Sequence, residues 1–434
     1  MQEGHPDFRR LAKPWNLNYA STLPRAIARC ASPEDVRTSL LWAASNGVPL
    51  AIRSGGHSYA GYSTTNGLLI DVSLMNEVGI PDGDGRVRMG GGARNANVYA
   101  GLRPVSRAIT HGRCMAVGVA GLVLGGGIGF SQRRRGLTCD QLTETEIITA
   151  AGERLLCNER ENPDLFWACR GGGGGNFGVN VSFTFQAFPV DVVTAFKLVW
   201  TDRLDEVLPA ALDLLPATPD RLGCKLSVET TTPLELELIG QLVGTEAELR
   251  ALLAPLYIGA PGKEIISTLS YWDGQGILAE DDNDQYTHER SRYAFKPIPT
   301  EGAHLILDFL RKWPGTHDTA VWKMFLAGGA VASIAPEATA FVHRKALMLT
   351  TVDLDWTEED DEATVARNEA WLNEFHAAMQ PFTSDQSYQN FIDGAETDYL
   401  RAYYGANLER LVEVKRRYDP DNLFRFSQSI PLSL

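Results

Sequence analysis

Arg53-Ser54-Gly55-Gly56-His57-Ser58-Tyr59 follows an apolar run, Val48 to Ile52, that reads as a short buried strand. Two adjacent glycines let backbone N–H groups approach a phosphate or a flat ring without side-chain obstruction. Taken singly, His57 reads first as a hydrogen-bonded turn residue. A second glycine-rich run stands downstream, where His111-Gly112-Arg113-Cys114-Met115-Ala116-Val117-Gly118 leads into Gly121, Gly125, Gly126, Gly127 and Gly129. So many glycines in an apolar segment cost conformational entropy, so something there must require close approach. Cys114 alone reads as a small buried hydrophobe, but Arg113 beside it favours the nucleophilic thiolate. One imidazole and one thiol, each beside such backbone, suit a cofactor attached at two points.

Around these runs the chain organises into alternating elements. Ser32-Pro33-Glu34-Asp35 carries the signals of a helix start, closed by Asn46-Gly47. Strands are expected at Leu68–Val72, Val87–Met89, Glu144–Ala150 and Arg154–Leu156, and a helix over Asn97–Ala108. Asn162-Pro163-Asp164 begins a helix that ends in five glycines, Gly171 to Gly175. Gly173, Gly175 and Gly178 match G-x-G-x-x-G, but a helix precedes them and the alternating strand Val179–Phe185 follows. That order excludes the dinucleotide-fold reading, which needs strand before and helix after.

After Phe188-Pro189 the character changes. Strand-like runs at Phe196–Trp200, Lys225–Glu229, Leu234–Gly240, Ala320–Leu326 and Lys345–Leu354 and helical runs at Glu206–Leu215, Glu246–Leu256 and Asp361–Met379 come in blocks. This pattern predicts an α+β region with an antiparallel sheet covered by helices. Gly274 to Asp284 reads as an exposed loop, and Asp281-Asp282-Asn283-Asp284 as its solvated acidic tip rather than a metal site.

The 434 residues carry a formal net charge of −14, with 44% hydrophobic and 22% charged residues. No basic block grips a phosphate backbone, so nucleic acid is not expected as a partner. No apolar stretch is long enough to span a bilayer, and the opening Met1-Gln2-Glu3-Gly4-His5-Pro6 lacks a signal pattern. The expectation is a cytoplasmic protein without membrane association. The six cysteines contain no C-x-x-C and fit neither a disulfide scaffold nor a zinc site. Neither the G-x-S-x-G elbow, the Walker loop nor H-E-x-x-H occurs. Oligomeric state is not legible.

As a set, these residues resemble the berberine-bridge-enzyme-like branch of the vanillyl-alcohol-oxidase flavoproteins, with their PCMH-type FAD domain. The resemblance runs through Arg53–Tyr59, Gly112-x-Cys114-x-x-Val117-Gly118, Asp140, Asp164-Leu165-Phe166-Trp167 and Gly172–Gly178. It continues through Lys296-Pro297-Ile298-Pro299, Gly328-Gly329, His343-Arg344 and Tyr404-Gly405-x-Asn407. It ends at Tyr418-Asp419-Pro420-Asp421-Asn422-Leu423-Phe424 and Gln428-Ser429-Ile430. It implies an FAD-binding domain in two pieces, 1–188 and 386–434, flanking a substrate domain, 189–385.

The resemblance further implies bicovalent FAD, with His57 on the flavin 8α-methyl carbon and Cys114 on C6. Arg53, Ser54, Gly55, Gly56, Ser58, Gly118, Gly121, Gly126, Gly175, Asn176, Val179, Asn390 and Gln428 would surround the cofactor. Val117 would stand beside the flavin where related oxidases carry valine, which implies reaction with O2 and release of H2O2. The substrate would be a hydroxyl-bearing secondary metabolite or sugar, giving hydride to flavin N5. Two family bases do not transfer, because Phe391 stands where relatives carry a catalytic tyrosine, and Thr350 or Thr351 near where others carry a glutamate. Tyr59, Tyr388 and Tyr403 remain as proton-handling candidates, Tyr59 foremost, with Lys323, His343 and Glu229 from the substrate domain. The same residues leave open a dehydrogenase with another acceptor, a redox-silent flavin-holding protein, and a flavoprotein that rearranges its substrate without net oxidation.

Overall fold

The computed structural model describes residues 1–280 and 283–434. Asp281 and Asp282 of the acidic tip lie outside the described residues.

The helix Pro33–Ser45 starts as its sequence dictates: Ser32 Oγ accepts from Asp35 N at 3.2 Å, and the Asp35 carboxylate accepts from Ser32 N at 2.9 Å. It connects Ala26–Arg29 to Leu50–Arg53, and these two strands flank Leu68–Asp71 in a small parallel sheet. The central strand is buried along its whole length, as a strand covered on both faces must be. Leu50–Arg53 therefore ends at a fixed point, and the turn carrying His57 leaves from there. A second, antiparallel sheet runs in the order Arg86–Gly90, Val179–Gln186, Leu142–Ile148, Arg154–Cys157.

Among the described residues, the third layer is an antiparallel sheet of seven strands. Its order is Lys263–Ser270, Val192–Trp200, Glu235–Leu242, Leu222–Glu229, Ala320–Leu326, Met348–Trp356, Tyr286–Ala294. One face packs Leu198, Leu226, Trp322 and Met324 beneath the helices Leu204–Leu214, Thr300–Arg311 and Glu362–Ala378. Because side chains alternate along a strand, Lys323 and Phe325 lie on the opposite face, toward the first two sheets. The α+β expectation holds.

Three polar ties bind the layers. Arg344 makes a two-pronged bond to Asp140 at 2.7 and 2.8 Å. His288 bridges Glu369 at 2.8 Å and Asp393 at 3.0 Å. Lys415 donates to Asp419 at 2.7 Å and to Asn176 O at 2.8 Å, entirely out of solvent. The last tie returns the C-terminal helix Leu408–Tyr418 to the loop Gly171–Gly178.

Two expectations are corrected. The exposed loop expected over Gly274–Asp284 does not begin at Gly274, because Tyr271–Leu278 is a helix with Tyr271, Trp272, Gln275 and Leu278 buried. Ser270 caps it by accepting from Asp273 N, and Gly274 lets it sit close to Val193. The helix expected over Asn97–Ala108 ends at Leu102, since Pro104 cannot continue it, and Arg107–Ala108 pairs instead with Phe188–Pro189. No helix among the described residues is long and apolar enough to cross a membrane.

Candidate active site

A cavity of about 540 Å³ opens between the parallel sheet and the bare face of the seven-stranded sheet. Its walls collect residues from Pro49 to Ser427. The two glycine-rich runs meet here. A β-carbon on Gly55 would lie 2.3 Å from Gly118 N, and one on Gly118 would lie 2.4 Å from Gly55 N. Gly121, by contrast, faces open space: a β-carbon there would meet nothing within 4 Å. The wall is thus a smooth backbone cradle, of the kind a ring and diphosphate require.

His57, Ser58, Tyr59, Cys114 and Val117 line the cavity, as do Ser54, Gly55, Gly56, Gly118, Gly121, Gly175 and Asn176. Tyr388, Asn390, Phe391 and Lys323, also read from the sequence, reach it as well. His57 stacks on Trp15 with centroids 3.8 Å apart. Burial pushes its pKa down to about 4, so the ring is neutral at pH 7 and carries a free nitrogen lone pair. Cys114 Sγ donates to Glu280 Oε2 at 3.6 Å.

Other expected residues lie outside this lining. Arg53 spends its guanidinium on the carbonyls of Leu11, Ala12 and Ser63 at 2.6 to 2.9 Å, holding the N-terminal segment. Gly126 packs under Phe341, and Val179 belongs to the core beneath the parallel sheet. Gln428 donates to Asp393 O and Glu396 O. Tyr403 accepts from Asp393 N, and His343 is stacked on Tyr293 and bonded to Gln386. Glu229, Thr350 and Thr351 also lie outside, and Thr350 donates to Arg292 O.

Tyr388 reaches the cavity, but its hydroxyl accepts from Gly127 N and Asn390 Nδ2, both at 3.0 Å. Burial pushes that phenol well above its usual range. It holds the glycine cradle rather than a mobile proton. Tyr59 is likewise raised, first by burial and then by the nearby Glu289 carboxylate, so it stays a phenol. It cannot act as an anionic base, though it can donate.

The far wall comes from the seven-stranded sheet, and sequence reasoning missed most of it. Phe325 and Phe391 stand 5.7 Å apart, and Tyr59 meets Phe391 edge-on at 5.4 Å. Glu289, on Tyr286–Ala294, is 2% exposed, and its Oε1 has no hydrogen-bond partner among the described residues. Lys323 pairs with Asp353 at 2.7 Å. Burial alone lowers Lys323, but Asp353, Glu289 and Glu280 outweigh it and keep the ammonium charged. Glu280 bonds Lys225 at 2.8 Å and pairs with Arg113. The period-two pattern of Ala320–Leu326 and Tyr286–Ala294 is the signal that points to Phe325 and Glu289.

Comparison with known proteins agrees with this geometry. A model described as FAD binding domain matches residues 24–158, and one described as berberine and berberine like matches 387–431. The chain is 34% identical to YgaK, an FAD-linked oxidoreductase of Bacillus subtilis, across 98% of this chain and 95% of that one. It superposes on Physcomitrella patens BBE-like 1 with a TM-score of 0.91 and 25% identity, over 100% and 96% of the two chains. On glucooligosaccharide oxidase from Acremonium strictum, described with 6-S-cysteinyl, 8α-N1-histidyl FAD, the TM-score is 0.90 at 26% identity, over 100% and 97%. The fold and site therefore define an FAD-linked oxidoreductase. The chain belongs to the berberine-bridge-enzyme-like family of these flavoproteins.

Proposed function

We propose that this chain is an oxidase carrying FAD bound covalently through His57 and Cys114, and that it oxidises a hydroxyl-bearing small molecule, a secondary metabolite or sugar. Residues 1–188 and 386–434 hold the cofactor in this reading, and 189–385 supply the substrate wall. Bound flavin supplies a two-electron acceptor, reoxidised by O2 with release of H2O2. The observation that carries the reading is that a neutral imidazole and a thiol line one cavity beside the glycine cradle. The likeness to a bicovalent flavoprotein supports it.

The chain's own residues then have distinct tasks. Oxidising an alcohol requires the hydroxyl proton to leave as the C–H bond breaks. Glu289 is suited to take it: its Oε1 has no hydrogen-bond partner among the described residues, and the charged Lys323 lies close by. Tyr59 donates a hydrogen bond to the substrate oxygen and orients it. Phe325 and Phe391 exclude water and give the substrate a flat apolar bed. Val117 leaves space beside the cofactor for O2.

The test is direct. Acid precipitation of purified protein is expected to leave a yellow pellet. His57→Ala and Cys114→Ala together release the colour, while either alone retains it. Peroxide is expected to appear with at least one donor from a panel of alcohols and oligosaccharides. A colourless wild-type pellet overturns the attachment, and donor turnover without peroxide overturns the oxidase.

A further inference from the structure

His57 is backed by an indole. Its ring stacks on Trp15 with the two planes 19° apart. His57 lines the cavity and Trp15 does not, so the indole stands behind the imidazole. Tyr59 meets the same indole edge-on, with centroids 5.1 Å apart. No side chain among the described residues hydrogen-bonds the imidazole, so the stack is what sets its plane.

Trp15 is itself held from two directions. Its N–H donates to Gly56 O at 3.2 Å, and its carbonyl accepts from Gln285 N at 3.2 Å. Asn16, only 1% exposed, donates through Nδ2 to Tyr59 O at 2.7 Å and to Thr287 O at 3.1 Å. Leu17 N donates to Gln285 O at 2.8 Å. On the other side of Trp15, Arg53 holds the carbonyls of Leu11, Ala12 and Lys13, and Lys13 pairs with Asp284 at 2.8 Å. Residues 11–17 thus form a strap fastened both to the run that carries His57 and to the strand Tyr286–Ala294.

A ring nitrogen forms a bond only when its lone pair is aimed at the atom it attacks. An imidazole free to turn about its two side-chain torsions is mostly misaimed. A stack fixes the plane of the ring and leaves both nitrogens, which lie on its edge, uncovered. A hydrogen bond would fix the ring too, but would occupy one of them.

We propose that Trp15 is a positioning residue that aims the His57 imidazole at the flavin for covalent attachment, with the strap holding the indole in place. The proposal rests on the reading of His57 as an attachment point. In the step itself, a ring nitrogen of His57 bonds to the 8α-methyl carbon of FAD. That carbon and the imidazole each give up one hydrogen as a proton. The two electrons released pass to dioxygen, which leaves with both protons as H2O2.

The test uses the full chain prepared flavin-free, mixed with FAD in air and acid-quenched over time. The masses of the peptides bearing His57 and Cys114 are followed, together with the FAD retained before quenching. Wild type is expected to gain flavin on His57; if it never does, the attachment reading fails before the present proposal is reached. Trp15→Ala is expected to retain FAD and to form the His57 link about tenfold more slowly, because a loosened ring is rarely aimed. The Cys114 peptide is the internal control and should gain flavin at the wild-type rate. Trp15→Phe, which keeps a flat face, should bring the His57 rate back to within about threefold of wild type. A His57 link at the wild-type rate in Trp15→Ala overturns the proposal. So does equal slowing of both links, or a phenylalanine variant as slow as the alanine one. Should Trp15→Ala fail to take up FAD, Trp15→Leu carries the test, since leucine fills space without a ring face. Selective slowing at His57 then supports the proposal. A wild-type rate, equal slowing of both links or loss of FAD uptake there overturns it.

Discussion

Gly55 and Gly118 touch backbone to backbone, so that a β-carbon on either would stand 2.3 or 2.4 Å from the amide nitrogen of the other. Neither neighbour is a flexible side chain that could swing away. Gly55→Ala is therefore expected to force the two runs apart. The expected cost is about 1–3 kcal/mol of stability, together with a lower flavin content. Thermal melting and the visible absorbance per chain check this. An alanine variant with unchanged melting and full colour contradicts the contact.

Val117 lies on the cavity wall and is half-buried. Replacing it by isoleucine adds one methylene where the proposed reaction admits O2. Val117→Ile is expected to slow reoxidation of reduced enzyme about tenfold, equivalent to about 1.4 kcal/mol of barrier. Anaerobic reduction by donor should change little. Rapid mixing of reduced enzyme with aerated buffer measures the first rate. An unaltered rate removes Val117 from the oxygen path.

Glu289→Gln keeps the shape of the side chain and removes its ability to hold a proton. Once a donor is in hand, flavin reduction is expected to fall about 10²–10⁴-fold. Tyr59→Phe should cost less, since Tyr59 orients the substrate without accepting its proton. Stopped-flow reduction under nitrogen separates the two. Equal losses, or none for Glu289→Gln, would assign the proton to another group.

His288 offers a handle on stability that needs no substrate. Burial disfavours its charge, but its bonds to Asp393 and Glu369 outweigh that and hold its pKa at about 9. An unfolded histidine titrates near about 6.5. The folded value is raised, so this tie stabilises fully below about 6.5 and is lost as pH rises through about 9. Wild type is expected to lose stability across that window. His288→Gln should lose less there and be weaker than wild type in mild acid. Denaturant unfolding at several pH values between about 6 and 10 reads the difference, and parallel profiles would refute it.

The cofactor side was legible because its signals are local. Gly55, Gly56 and His57 are adjacent in sequence, and Cys114 stands four residues from Gly118, so composition alone marked both runs. The substrate side was not. Glu280 stands 166 residues from the thiol it accepts from, and Lys225 lies 55 residues before Glu280. Only strand pairing brings them together. The stretch Gly274–Leu278 misled because its two glycines and the acids that follow suggest a loop, while the packing of Tyr271 and Trp272 makes it part of a helix. Arg53 and Gln428 were placed by motif, which marks a neighbourhood but not the direction in which a side chain points.

The strand Ala320–Leu326 sends Trp322 and Met324 one way and Lys323 and Phe325 the other. Holding the sheet upright and choosing what reacts are thus duties of different residues on one ribbon. Evolution could rewrite the chemistry of such a protein at every second position while leaving the scaffold's own ledger of packing untouched, and a laboratory seeking new donors has the same freedom.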